Sequence, residues 1–190
     1  MTTTDKVFSI FTRDVVLFVT TLLTSVVIAR YLGPEKMGIW TLLLLIPGYA
    51  EAFGRLQLDV SSVYFIGKGK VKVGEATFIL HLVSMIMVTV IGLIGFFNID
   101  FLHNQIFKNV EMDVQKLIYG VSLIIPLRFI YINYSYLLIA REQIKAYNKL
   151  VIIQALTTSV LSIGMIVLAG FGIFGALMGS IFGLLISIIY

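Results

Sequence analysis

Apolar runs of about twenty residues, repeated from one end of the chain to the other, constrain this sequence more than any other feature in it. A helix rises about 1.5 Å per residue, so each run reaches ~30 Å, the thickness of a bilayer's hydrocarbon layer. Six runs qualify, each bounded by Gly, Pro or charge: Asp14 to Tyr31, Met37 to Gln57 with room to continue to Ile66, Glu75 to Phe97, Leu117 to Ile139, Leu150 to Ala169 and Ile173 to Tyr190. Hydrophobic residues make up 59% of the 190 and charged residues 13%. A soluble domain carries about 45–50% and about 25%, so water could not solvate such a surface. The expected fold class is all-α, a polytopic membrane helical bundle of about six transmembrane helices. Lys6 and Arg13 precede the first run as they would in a signal peptide. That run ends in Ala-Arg-Tyr-Leu without a small-x-small cleavage pattern, so it reads as an uncleaved first helix.

The sparse polar residues exclude several functions. The chain has no cysteine and only two histidines, His81 and His103, far apart in sequence, which leaves no thiolate or zinc site and no expected metal or cofactor. No paired carboxylates and no nucleophile with a base are visible, so an enzyme is not expected. The net charge of +4 sits mainly in short loops, where it sets topology rather than recruiting nucleic acid. With the N-terminus inside, the inner segments hold Lys6, Arg13, Arg55, Lys68, Lys70, Lys72, Arg141, Lys145 and Lys149, and the outer ones Arg30, Lys36, Lys108 and Lys116. This imbalance predicts a cytoplasmic N-terminus, with Asn98 to Lys116 as the longest external loop.

Two glycine patterns shape the bundle. In ARYLGPEKMGIW, Ala29 to Trp40, Gly33 can end a helix and Pro34 cannot continue one, which predicts a tight helical hairpin. In the last run, Gly175, Gly179 and Gly183 recur every fourth residue. That register lets two helices approach at backbone distance.

Charges inside the runs are the candidates for function. A guanidinium at the centre of a hydrocarbon layer costs at least ~2.5 kcal/mol, so Arg128, within the fourth run, should face a partner or a watery cavity. Counting from the outer ends, Glu51 lies ~21 Å below Met37 and Arg128 ~17 Å below Leu117, nearly one level. The two are therefore expected to share a cavity or pair directly. Glu51, Arg55 and Asp59 follow one another at every fourth position and form one polar stripe, with Asp59 expected at the inner interface in contact with water. Tyr131, one turn beyond Arg128, could stack on a sugar, and Ser135 extends the polar face another turn. Tyr134 and Tyr136 read as interfacial aromatics. Pro126 is a candidate kink. His81 is a candidate for proton coupling alongside Glu51, or simply a histidine bonded between helices. Arg30 can snorkel to a lipid phosphate or serve as an anchor.

ARYLGPEKMG at 29–38, GKGKVKVGE at 67–75, AREQIKAYNK at 140–149 and GFGIFGALMG at 170–179 resemble, in the same order, segments of the polysaccharide biosynthesis protein family. That family contains Wzx-type flippases of O-antigen and capsule repeat units, within the superfamily of MATE drug exporters and lipid II flippases. The resemblance implies one lobe of a MATE-like, V-shaped transporter of twelve to fourteen helices working by alternating access. The six runs are then an N-terminal lobe of a longer protein, or a half-transporter pairing with a second lobe or an identical chain. It further implies an inner-membrane protein, in contact with membrane lipids, that moves a polyprenyl-diphosphate-linked oligosaccharide from the inner to the outer leaflet. Arg128 and Arg55 would hold the diphosphate and Glu51 would balance the empty cavity. A cation-coupled drug exporter and a non-transporting membrane subunit or scaffold are the alternatives.

Overall fold

The computed structural model describes residues 3–98, 101 and 114–190, and every regular element among them is helical. In chain order these are α1 (Thr3–Gly54), α2 (Leu58–Gly67), α3 (Val73–Phe97), α4 (Val114–Ser122), α5 (Ile124–Ala140), α6 (Ile144–Val167) and α7 (Gly172–Ile189). Among the described residues, five stretches are long and apolar enough to cross a membrane, and one of them, Val7–Gly54, spans 48 residues. It holds the first two expected runs.

The expected hairpin divides that long element. Gly33 has φ 75 and ψ 169, a conformation closed to residues with a Cβ, and Pro34 has no N–H to return to the preceding turn. Contacts on either side reveal the reversal. Before the glycine, Arg13 reaches Asn148 near the start of α6, while Leu32 lies beside Gly172 at the start of α7. After it, Trp40 and Leu43 join Leu117, Ile118 and Val121 in one cluster, and Glu51 and Gly54 meet Arg128 and Phe129. The two arms of α1 therefore run antiparallel.

The second run does not continue smoothly. Leu56 and Gln57 have φ 50 and 57, the left-handed region, which costs a residue with a Cβ about 1–3 kcal/mol. The helix stops at Gly54 and restarts as α2, which packs against α5 and α3. The fourth run is interrupted too, at Leu123, three residues before Pro126. A proline ring crowds the carbonyl four residues back, here Ser122, so the ladder opens at that point and Leu123 N–H turns to Gly120 O at 3.2 Å. Most of the expected external loop, with Asp100, His103, Lys108, Glu111 and Asp113, lies outside the described residues.

The last two spans are held together by glycine. A Cβ on Gly175 would come within 3.0 Å of the Met165 carbonyl carbon, and one on Gly183 within 2.6 Å of Thr158 Cα, while Gly179 faces the Ser162 backbone. α6 and α7 thus touch backbone to backbone, as the register predicted. Facing away from the bundle, α1 and α3 expose large apolar side chains, among them Phe11, Phe18, Phe78, Met85 and Phe96. Such a continuous apolar surface suits lipid rather than water. The chain is a multi-pass helical membrane protein.

Candidate functional site

Where α1 gives way to α2, two carboxylates and two guanidiniums meet in one chain of contacts. Arg128 Nε lies 2.8 Å from Glu51 Oε2. Glu51 Oε1 lies 3.5 Å from Arg55 Nη1. Arg55 Nε donates to Asp59 Oδ2 at 2.8 Å, Nη2 bonds the same oxygen, and Nη2 also donates to the Tyr136 hydroxyl at 3.1 Å. The Tyr136 ring sits 5.3 Å from the Arg55 guanidinium carbon, close enough for cation–π attraction. The order is Arg128, Glu51, Arg55, Asp59, with net charge zero.

Local structure explains the arrangement. One helical turn separates Glu51 from Arg55, which puts both on one face. The left-handed residues Leu56 and Gln57 then swing α2 so that Asp59, in its first turn, points into the bundle. An acidic side chain is favoured at a helix N-terminus, where the backbone dipole is positive. Asp59 is 2% exposed, so the expectation of a water-exposed interfacial charge is corrected: the break turns it inward. Tyr136 has a contact beyond the one expected of an interfacial aromatic, since its hydroxyl accepts from Arg55.

Burial differs along the chain of charges. The Arg128 side chain is 41% exposed and that of Glu51 19%. Asp59 Oδ1 has no hydrogen-bond partner among the described residues, although its sister oxygen is doubly bonded. A cavity of about 10 Å³ adjoins it, lined by Arg55, Asp59, Ser84, Phe129 and Asn133 among others, enough for about one water molecule. Asn133 is itself buried and donates to Ser84 Oγ at 2.9 Å, joining α5 to α3.

The other predicted residues lie elsewhere. Tyr131 lines a wider cavity of about 530 Å³ between α5, α6 and α7, together with Tyr134, Lys149, Ser187 and Tyr190. It shares a helix with Arg128 but opens onto different neighbours. His81 Nδ1 lies 2.8 Å from Thr77 O, so that nitrogen donates within its own helix rather than between helices, and the ring meets Tyr134 edge-on at 6.0 Å. Arg30 is exposed near the Gly33 turn. Glu51, Arg55 and Arg128 are therefore the predicted residues brought together.

Sequence reasoning left three participants outside the site. Asn133 carried a usable signal, because an amide in the middle of an apolar run must find a partner. Asp59 and Tyr136 carried none that separates burial from an interfacial position. Arg13 forms a further polar contact: it donates to Asn148 Oδ1 at 3.1 Å and lies 5.2 Å from the Tyr147 ring centre, while Asn148 donates to Ser9 Oγ at 2.8 Å. That contact ties the N-terminal arm to α6.

No family model, curated protein or solved structure matches this chain.

Proposed function

We propose that this chain is a lobe of a transporter that carries a polyprenyl-diphosphate-linked oligosaccharide from the inner to the outer leaflet of the inner membrane. The observation that carries the reading is Glu51 standing between Arg128 and Arg55. Two guanidiniums, one on α5 and one in the turn between α1 and α2, held near each other by one carboxylate, form a site an anion can take over by displacing that carboxylate. Charge-assisted bonds from arginine to phosphate oxygens are strong and bidentate. Arg128, the more exposed of the two, makes the first contact and Arg55 the second.

The resemblance of the four quoted segments to the polysaccharide biosynthesis family supplies the substrate class. Tyr131 and Tyr134, in the 530 Å³ cavity beyond Arg128, offer ring faces to sugars, and the lipid tail stays among the apolar faces of the helices. Arg13, Lys68, Arg141 and Lys149 belong to the helix ends on the side opposite Gly33, which the charge bias assigns to the cytoplasm.

In the cell that makes the complete transporter, Arg128→Ala is expected to abolish polysaccharide export while the protein still inserts in the membrane. Unchanged export in that variant refutes the role.

A further inference from the structure

Lys149 is the only cationic residue lining the 530 Å³ cavity between α5, α6 and α7. Its ammonium lies 4.5 Å from the centre of the Tyr190 ring, reaching from α6 across to the end of α7, and no carboxylate pairs with it among the described residues. The remaining walls are mainly aromatic and aliphatic, with Tyr131, Leu138, Leu150 and Ile189 among them. Ser187, the one serine there, already donates its hydroxyl to Leu184 O at 2.7 Å. A single uncompensated positive charge thus stands at the mouth of an apolar hollow.

Depth gives that arrangement its meaning. Helices α5 and α7 end, and α6 begins, on the side opposite Gly33, where Lys68 and Arg141 also lie. Tyr131 is nine residues (131 to 140) from the end of α5 at Ala140, about 13 Å at helical rise, close to the roughly 15 Å of one hydrocarbon leaflet. The ammonium, beside Tyr190 at the end of α7, is at the level of lipid headgroups, where basic stems and tyrosines settle. The cavity is open, since Tyr134, Ile189 and Tyr190 are each at least half exposed. Water finds few partners on such walls, so an acyl chain fills them better.

We propose that this cavity binds one phospholipid of net negative charge from the leaflet on the Lys-rich side, with its phosphate on Lys149 and one acyl chain along Leu138, Leu150 and Ile189. Basic pockets between membrane helices suit acidic headgroups, and two features favour such a headgroup over a zwitterionic one here. The Lys149 charge is uncompensated, and Lys145, exposed one helical turn earlier on the same face, adds a second positive charge nearby. A choline or ethanolamine cation finds no carboxylate among the residues lining the cavity, and the Tyr190 ring that could hold it already faces Lys149. The assignment is separate from the transport reading; where both hold, the lipid fills the cavity until the sugars of the substrate displace it.

The test takes the full chain in neutral detergent, supplies dioleoyl phosphatidylglycerol and dioleoyl phosphatidylcholine in equal amounts, and reads bound lipid by native mass spectrometry. Phosphatidylglycerol is expected to predominate in the singly lipidated protein. A basic residue near the membrane surface contributes about fivefold to the retention of an acidic lipid, so Lys149→Gln should cut the preference about fivefold while Lys149→Arg keeps it. Lys70→Gln, the same loss of charge in the exposed turn between α2 and α3, should leave it unchanged. Equal retention of the two lipids by the wild type, an unchanged preference in Lys149→Gln, or an equal loss in Lys70→Gln, which marks diffuse attraction to a basic surface, each overturns the site. Phosphatidylglycerol with a diazirine at the end of one chain gives a second measurement, on wild-type protein in nanodiscs, that does not depend on a variant folding. Crosslinks should concentrate in residues 131–150 and 187–190, and an even spread over the lipid-facing surfaces of α1 and α3 overturns the proposal. Either failure leaves the Arg128 site standing, because neither measurement touches it.

Discussion

Arg128 Nε stands 2.8 Å from Glu51 Oε2, joining α5 to the second arm of α1. Neither side chain is fully buried, so the pair is discounted for solvent screening. In a double-mutant cycle, Glu51→Gln and Arg128→Met should each destabilise the protein, and the double variant should lose less than their sum. A coupling of about 0.5–3 kcal/mol is expected from thermal unfolding in detergent. Strict additivity would mean that the two side chains do not interact.

Asp59 should be the most sensitive position of the quartet. Asp59→Ala leaves the Arg55 guanidinium without its doubly bonded oxygen, at a cost of about 3–5 kcal/mol for breaking a buried pair. Replacing both, as Arg55→Met with Asp59→Leu, should recover most of that loss, because apolar side chains of similar volume need no compensation. Melting temperatures of the two variants and the wild type decide the point, and a double variant as unstable as Asp59→Ala would contradict it.

The glycines separate into two kinds. Gly183→Val must push α6 and α7 apart, since even a Cβ would come within 2.6 Å of Thr158 Cα. Overpacking of this sort costs about 1–3 kcal/mol. Gly92, within α3, has nothing within 4 Å of the corresponding position, and Gly92→Ala should stabilise by about 0.4–1 kcal/mol by limiting the unfolded chain. Unfolding curves of the two variants should move in opposite directions.

Sidedness can be read directly because the chain contains no cysteine. Lys70→Cys, in the exposed turn between α2 and α3, should react with an impermeant thiol reagent applied from the cytoplasmic side. Lys36→Cys, exposed beyond the Gly33 turn, should react from outside. The reverse pattern would invert the topology.

Much of this organisation was legible in the residues themselves. Hydrocarbon thickness selects helix length locally, so the apolar runs marked the helices long enough to cross a membrane, and Gly33 with Pro34 marked a reversal. Gly175, Gly179 and Gly183 foretold a close helix pair because spacing alone puts them on one face. Depth counting placed Glu51 beside Arg128, since rise per residue hardly depends on what surrounds a helix.

Tertiary structure decided what those local rules leave open. Leu56 and Gln57 adopt a left-handed backbone that their own preferences oppose, so packing of α2 against α3 and α5 must hold it. That break turns Asp59 from the surface into the bundle and brings Tyr136 onto Arg55. Local rules fix where a helix can run and how deep a charge lies. Which way a charge finally points depends on partners distant in sequence, whose energies appear only once the helices are assembled.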